Sequence, residues 1–202
     1  MRILAIGAHP DDLEYGCGGA LIRHTQKGDE VYLLVVTDGA AGGDPAVRRA
    51  EQLAAAELIG ASDVFFGEYA GTQFECHKET ITHIEGVVRQ VRPDAVYTHF
   101  LQDTHQDHRH VALAVVPATR SVPNLLCFES LSSQNFQPTV FSDIGKVIHQ
   151  KLGALEAHAS QVHRTNIGSM TIIDIAQSAA TFRGIQGRVT HAEGFAPLRY
   201  FM

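Results

Sequence analysis

Short, continuous apolar runs alternate along this chain with segments whose apolar residues recur every three to four positions. The runs at residues 3–8, 31–37, 63–66, 94–100 and 125–129 predict buried strands. Residues 18–26, 45–59, 78–91 and 109–119 predict the helices between them, with stop signals at Lys27-Gly28, Gly60 and Arg92-Pro93. In the second helix Val47, Ala50, Leu53, Ala54 and Leu58 predict the buried stripe. In the third it is Ile81, Ile84, Val87, Val88 and Val91. The rest is less regular: residues 139–141 and 170–173 predict a strand pair, and 144–157 and 175–184 predict helices. No linker, repeat or low-complexity stretch interrupts the chain, so residues 1–202 are read as one domain.

Strands separated by helices of 10–15 residues imply βαβ units and an α/β fold. The expectation is a Rossmann-like, mainly parallel sheet with core order 3-2-1-4-5, helices on both faces and a less regular C-terminal extension. In that order the first and fourth strands are neighbours where the winding reverses, and ligands bind beyond the carboxyl ends of the strands at such a point. The segments after Ala8 and after Phe100 should therefore face each other across a crevice.

Composition narrows the partners. Of 202 residues, 16 are Lys or Arg and 22 Asp or Glu, a net charge of −6 that argues against nucleic acid. No apolar stretch approaches the ~20 residues needed to span a bilayer. The opening apolar run is too short for a signal peptide and meets two carboxylates where small residues would be needed. Cys17, Cys76 and Cys127 form no CxxC and read as reduced, packed thiols, with Cys17 a weaker metal candidate near His9 and Asp12. A cytoplasmic location is the expectation. The 12 histidines, a large share for this length, point to metal or proton-transfer chemistry.

The two segments predicted to line the crevice are dense in such groups. After the first strand comes His9-Pro10-Asp11-Asp12-Leu13-Glu14, and after the fourth comes Asp103-Thr104-His105-Gln106-Asp107-His108-Arg109-His110. A catalytic zinc site takes three protein ligands and leaves one position open, and His9, Asp12 and His108 would supply such a set. Neighbouring residues in a turn point in different directions, so one of Asp11 and Asp12 can ligate while the other accepts a proton. Glu14 divides between a helix N-terminal carboxylate and a site residue, and His158 between a structural hydrogen bond and the rim of the site. His110 is expected on the helix surface. His24, His77, His83, His99, His149 and His163 are expected as surface or packing residues. Gly16, Gly18 and Gly19 lack GxGxxG spacing and read as close packing at a strand–helix turn.

The order Ala8-His-Pro-Asp-Asp-x-Glu14, Gly18-Gly19, Arg48-x-x-Glu51 and His105-x-Asp-His108 resembles the LmbE/PIG-L family of zinc-dependent N-acetylglucosaminyl deacetylases. The tail agrees, with Lys151, His158, Ser160 and Gln161, then Ala192-Glu193-Gly194-Phe195. Gln106 stands where many relatives carry proline. The resemblance implies one Zn²⁺ held by His9, Asp12 and His108, Asp11 as general base, and His105 acting in its charged form with Asp107 as its orienting partner. Arg48 would contact substrate or hold the active-site loop. The implied reaction removes acetyl from an N-acetylated amino sugar or its conjugate, and the implied assembly is a homo-oligomer, trimer or hexamer. Two alternatives stay open: a zinc amidase or deformylase on another small amide, and a non-catalytic Rossmann-like nucleotide-binding module.

Overall fold

Seven strands form one sheet in the computed structural model, which describes residues 1–201. In chain order the elements are β1 (Arg2–Gly7), α1 (Asp12–Gln26), β2 (Glu30–Thr37), α2 (Pro45–Ile59), β3 (Asp63–Tyr69), α3 (Lys78–Val91) and β4 (Ala95–His99). They continue with α4 (Gln106–Ala118), β5 (Asn124–Phe128), β6 (Val140–Asp143), α5 (Ile148–Glu156), α6 (Ile172–Gly187) and β7 (Ala192–Arg199). The strand order is β3-β2-β1-β4-β5-β7-β6, so the expected 3-2-1-4-5 core is present. Its strands pair in parallel, while β7 joins β5 and β6 antiparallel.

Strand alternation sorts the core into two layers. Ile3 and Ala5 of β1 face one layer with Leu13, Cys17 and Leu21 of α1, Ile59 of α2, Leu155 of α5 and Ala180 of α6. Leu4 and Ile6 face the other, with Ile84 and Val88 of α3 and Val111 and Val115 of α4. No helix among the described residues is long and apolar enough to cross a membrane.

Four expectations are corrected. The segment at 170–173 is not a strand: Thr171 caps α6, its hydroxyl accepting from the Asp174 N–H while Asp174 accepts from the Thr171 N–H. The partner of β6 is instead β7, whose Ala192-Glu193-Gly194 start the apolar pattern does not mark as a strand. Helix α1 begins six residues before the expected 18, at Asp12. Its interior glycines look unfavourable for a helix, but a Cβ at Gly16 would lie 2.2 Å from Phe128 and one at Gly19 2.7 Å from Ile144. Close helix–sheet packing outweighs propensity there. Finally, α2 is turned: Val47, Ala50, Leu53, Ala54 and Leu58 are exposed, and Arg48, Gln52, Ala55, Ala56 and Ile59 are buried. The inward face carries Arg48 and Gln52 because it abuts the polar crevice, where their polar ends find partners.

Candidate active site

Strands β1 and β4 pair side by side, Ile6 opposite Thr98, so the chain leaves both at the same end of the sheet. The left-handed backbone of Asp11 (φ 99°, ψ −25°) caps α1 and turns the two adjacent carboxylates apart. Asp12 points into a group of histidines. Its Oδ2 lies 3.2 Å from His9 Nδ1 and its Oδ1 3.2 Å from His108 Nε2. Asp11 points to Arg48, Oδ2 accepting from Nη2 at 3.1 Å.

Each of the two imidazoles has its far nitrogen on a second carboxylate. His9 Nε2 donates to Asp107 Oδ2 at 2.9 Å, and His108 Nδ1 lies 3.2 Å from Asp103 Oδ2. Nothing in the sequence singles out Asp103 from its neighbours. It is buried and also accepts from the His105 N–H at 2.8 Å and from the Ser130 hydroxyl. A carboxylate behind the histidine is the usual companion of a metal-ligating imidazole, because it fixes tautomer and ring orientation. Asp12 offers Oδ2 to His9 and Oδ1 to His108, each at 3.2 Å, so donor types that zinc takes gather around one carboxylate. Two imidazoles and one carboxylate therefore fit zinc.

Two sets of three residues bring one ligand atom each within 4.8 Å of one another: Asp12, His99 and His108, and His9, His105 and His108. The three residues expected from the sequence, His9, Asp12 and His108, are divided between these sets and do not form one of them together. His99, expected as a packing residue, is fully buried and stacked on His108, with centroids 4.0 Å apart. Its Nε2 lies 3.2 Å from Asp12 but accepts the Ala8 N–H at 3.0 Å, so that lone pair is already engaged. Burial, helped by the charge on His108, lowers its pKa to about 4, and the ring is neutral.

The charges explain themselves in the same way. Burial works against a charge on His9 and His108, but Asp12 and the carboxylates behind them outweigh it, raising the two to about 9 and about 10. Burial would also raise Asp12, yet His108, His99 and His9 hold its carboxyl well below the usual range. The cluster is built to surround positive charge. Asp11 moves the other way: burial and the charge of Asp12 push it up to about 6, against Arg48, His158 and His9.

The carboxylate of Asp107 and the ring of His105 have separate partners. Asp107 does not direct its carboxylate at His105. That carboxylate holds His9 and the Thr72 N–H, and only the backbone N–H of Asp107 reaches His105 Nδ1, at 3.2 Å. The reason is the helix start: His105 is the N-cap of α4, and its ring accepts from the first turn. Nδ1 accepts the Asp107 N–H, which leaves Nε2 as the ring's donor, and burial, then His108 and His9, hold the pKa of His105 below its ordinary value.

Arg48 is buried, its guanidinium spread over Pro10 O, Gly39 O (3.2 Å) and Asp11. Cys17 lies in the core, its thiol pushed well up by burial, and offers no ligand. His110 donates to Phe74 O at 2.7 Å. Lys151 pairs with Glu193 inside the protein, joining the two tail motifs. A cavity of about 130 Å³ opens beside Asp11, Asp12 and His108, walled by Tyr15, Leu131 and Ile172 with Gln161 and Arg164.

The profile of the PIG-L family, described as GlcNAc-PI de-N-acetylase, matches residues 4–119. The uncharacterized deacetylase YaiS of Escherichia coli (strain K12) is 35% identical over 167 residues, 78% of this chain and 90% of its own length. Diacetylchitobiose deacetylase of Thermococcus kodakarensis is 29% identical over 79% of this chain and 70% of its own. A 4-oxalmesaconate hydratase of Pseudomonas putida is 26% identical over 79% of this chain and 74% of its own. Among solved structures, the conserved protein TT1542 of Thermus thermophilus superposes with a TM-score of 0.89 at 25% identity, over 99% of this chain and 96% of the other. With the family motif matched across more than half its length on this sheet, the chain belongs to the PIG-L family.

Proposed function

We propose that this protein is a zinc-dependent deacetylase that hydrolyses the amide of an N-acetylated amino sugar or its conjugate. One observation carries the reading: Asp12 sits between two imidazoles whose far sides are each backed by a carboxylate, beside a cavity bordered by a second, separate carboxylate. Relatives named as deacetylases support the reaction class. In this reading His9, Asp12 and His108 hold the ion, which when bound polarises the amide carbonyl and acidifies water beside it.

The remaining steps belong to the chain. Asp11, with its pKa near 6, accepts the proton of the attacking water and returns it to the departing amine. Nε2–H of His105 donates to the oxyanion, its Nδ1 being taken by the Asp107 N–H at the start of α4. A donor of this kind is worth roughly 10²–10³ in rate. Arg48 positions Asp11 and the loop at Gly39. Tyr15, Leu131 and Ile172 offer apolar contacts to the sugar, and Gln161 and Arg164 offer polar ones.

The test is zinc analysis of purified protein with release of free amine from a panel of N-acetyl sugars. About one zinc per chain, amine release, and its loss in Asp11→Asn with zinc retained are the expected results. Full activity in Asp11→Asn rejects the base. The hydratase relative favours a second reading, addition of water to a carbon–carbon double bond at the same site. Water uptake by an unsaturated polycarboxylate with no amine from any amide supports that instead.

A further inference from the structure

Among the carboxylates and histidines of the site, Asp11 alone has a left-handed backbone, and its φ of 99° with ψ of −25° lies outside even the small left-handed well open to side-chain-bearing residues. Such a conformation persists only where its surroundings over-determine it. Arg48 holds the side chain. The backbone N–H of Asp11 has a different partner, Gln52 Oε1 at 3.3 Å, one helical turn beyond Arg48 on the inward face of α2.

Gln52 is fully buried and cannot choose its orientation freely. Its Nε2 donates to Glu14 Oε1 at 2.7 Å. With the amide reversed, an NH₂ would meet the Asp11 N–H and an oxygen would meet a carboxylate, so both contacts would repel. Glu14, also fully buried, faces His158 as an ion pair, Nε2 lying 3.3 Å from Oε2 outside hydrogen-bond geometry. A buried carboxylate needs such a partner to stay in place.

We propose that Gln52, aimed by Glu14 and His158, is a positioning residue that locks the backbone of Asp11 in the conformation from which its carboxylate works as the base. The left-handed turn separates Asp11 from Asp12. Relaxation to negative φ would swing the Asp11 carboxylate off Arg48 and away from the cavity. His158, Glu14 and Gln52 come from three helices or their ends, so the lock ties the base to the rigid layer behind it. The inference rests on the proposed role of Asp11.

Gln52→Met fills the same space and removes the amide oxygen that accepts the Asp11 N–H, leaving only a weakly accepting thioether. We expect kcat on the N-acetyl sugar panel to fall 10- to 100-fold, with KM within threefold and zinc content unchanged. This corresponds to about 1.4–2.7 kcal/mol at 1.36 kcal/mol per tenfold. A crystal structure of the variant should show Asp11 at negative φ. A kcat within threefold of wild type, a KM rise that accounts for the loss, or Asp11 still near its present φ each overturn the proposal. If Gln52→Met fails to fold, Glu14→Gln decides: an amide there lets Gln52 sit either way, and kcat should fall three- to tenfold, whereas an unchanged kcat overturns the lock. Wild-type protein that releases no amine, or an active Asp11→Asn, strikes the deacetylase reading, and the φ of Asp11 in Gln52→Met still tests the lock by itself.

Discussion

Asp103→Asn is the most informative single change, because one backbone bond decides how the new amide must sit. Asp103 Oδ1 accepts the His105 N–H at 2.8 Å, and Oδ2 faces His108 Nδ1 at 3.2 Å. An asparagine must keep its oxygen on the N–H, so its NH₂ falls where Oδ2 was and points at His108 Nδ1. That nitrogen must then accept, and the His108 proton moves to Nε2, the atom facing Asp12 at 3.2 Å. A protonated Nε2 cannot ligate. Loss of a carboxylate behind a ligating histidine costs roughly 10- to 100-fold in metal affinity. This equals about 1.4–2.7 kcal/mol, and the zinc-induced rise in Tm should shrink by roughly 3–10 °C for a chain of this size. Competition against a chromophoric chelator measures the affinity, and Tm of the metal-free variant checks that the fold is intact. Zinc affinity within threefold of wild type, in a folded variant, would refute the tautomer argument.

Three further outcomes are expected. Gly16→Ala places a Cβ 2.2 Å from Phe128 and should destabilise by at least about 1–3 kcal/mol, whereas Gly86→Ala, with nothing within 4 Å, should stabilise α3 by up to about 1 kcal/mol; urea unfolding separates the two. Lys151→Met leaves buried Glu193 with only the N–H groups of Gly19 and Ala20, at 2.8 and 2.7 Å, and should cost about 3–5 kcal/mol, which thermal unfolding reads directly. Asp11 must be ionised to accept a proton, so kcat/KM should fall as pH drops through the value held near 6, and a bound cation can only move that limb lower. An acid limb centred well above pH 6 counts against Asp11 as the base.

The exposed stripe on α2 shows how pattern alone misleads. Val47, Ala50, Leu53, Ala54 and Leu58 have helical spacing, so the helix was legible, but its rotation was not. Apolar periodicity marks the inward face only when the neighbouring layer is apolar, and α2 borders carboxylates. His99 failed for a related reason. A histidine ending a strand carries no local signal, and its burial against His108 follows from the pairing of β1 with β4.

What the sequence determined by itself was the alternation of strands and helices, the 3-2-1-4-5 core and the meeting of residues 9–12 with residues 103–108 at the reversal of winding. Those follow from short-range periodicity and the handedness of crossovers, both written locally. Tertiary structure alone decided which carboxylate backs which histidine: Asp107 went to His9 and Asp103 to His108. It also decided the antiparallel insertion of β7 and the hold of Gln52 on Asp11. The contact of Asp107 with His9 joins residues 98 positions apart, and that of Gln52 with Asp11 joins residues 41 apart. A one-residue shift in strand register would turn every side chain to the other face, and no local pattern records that choice.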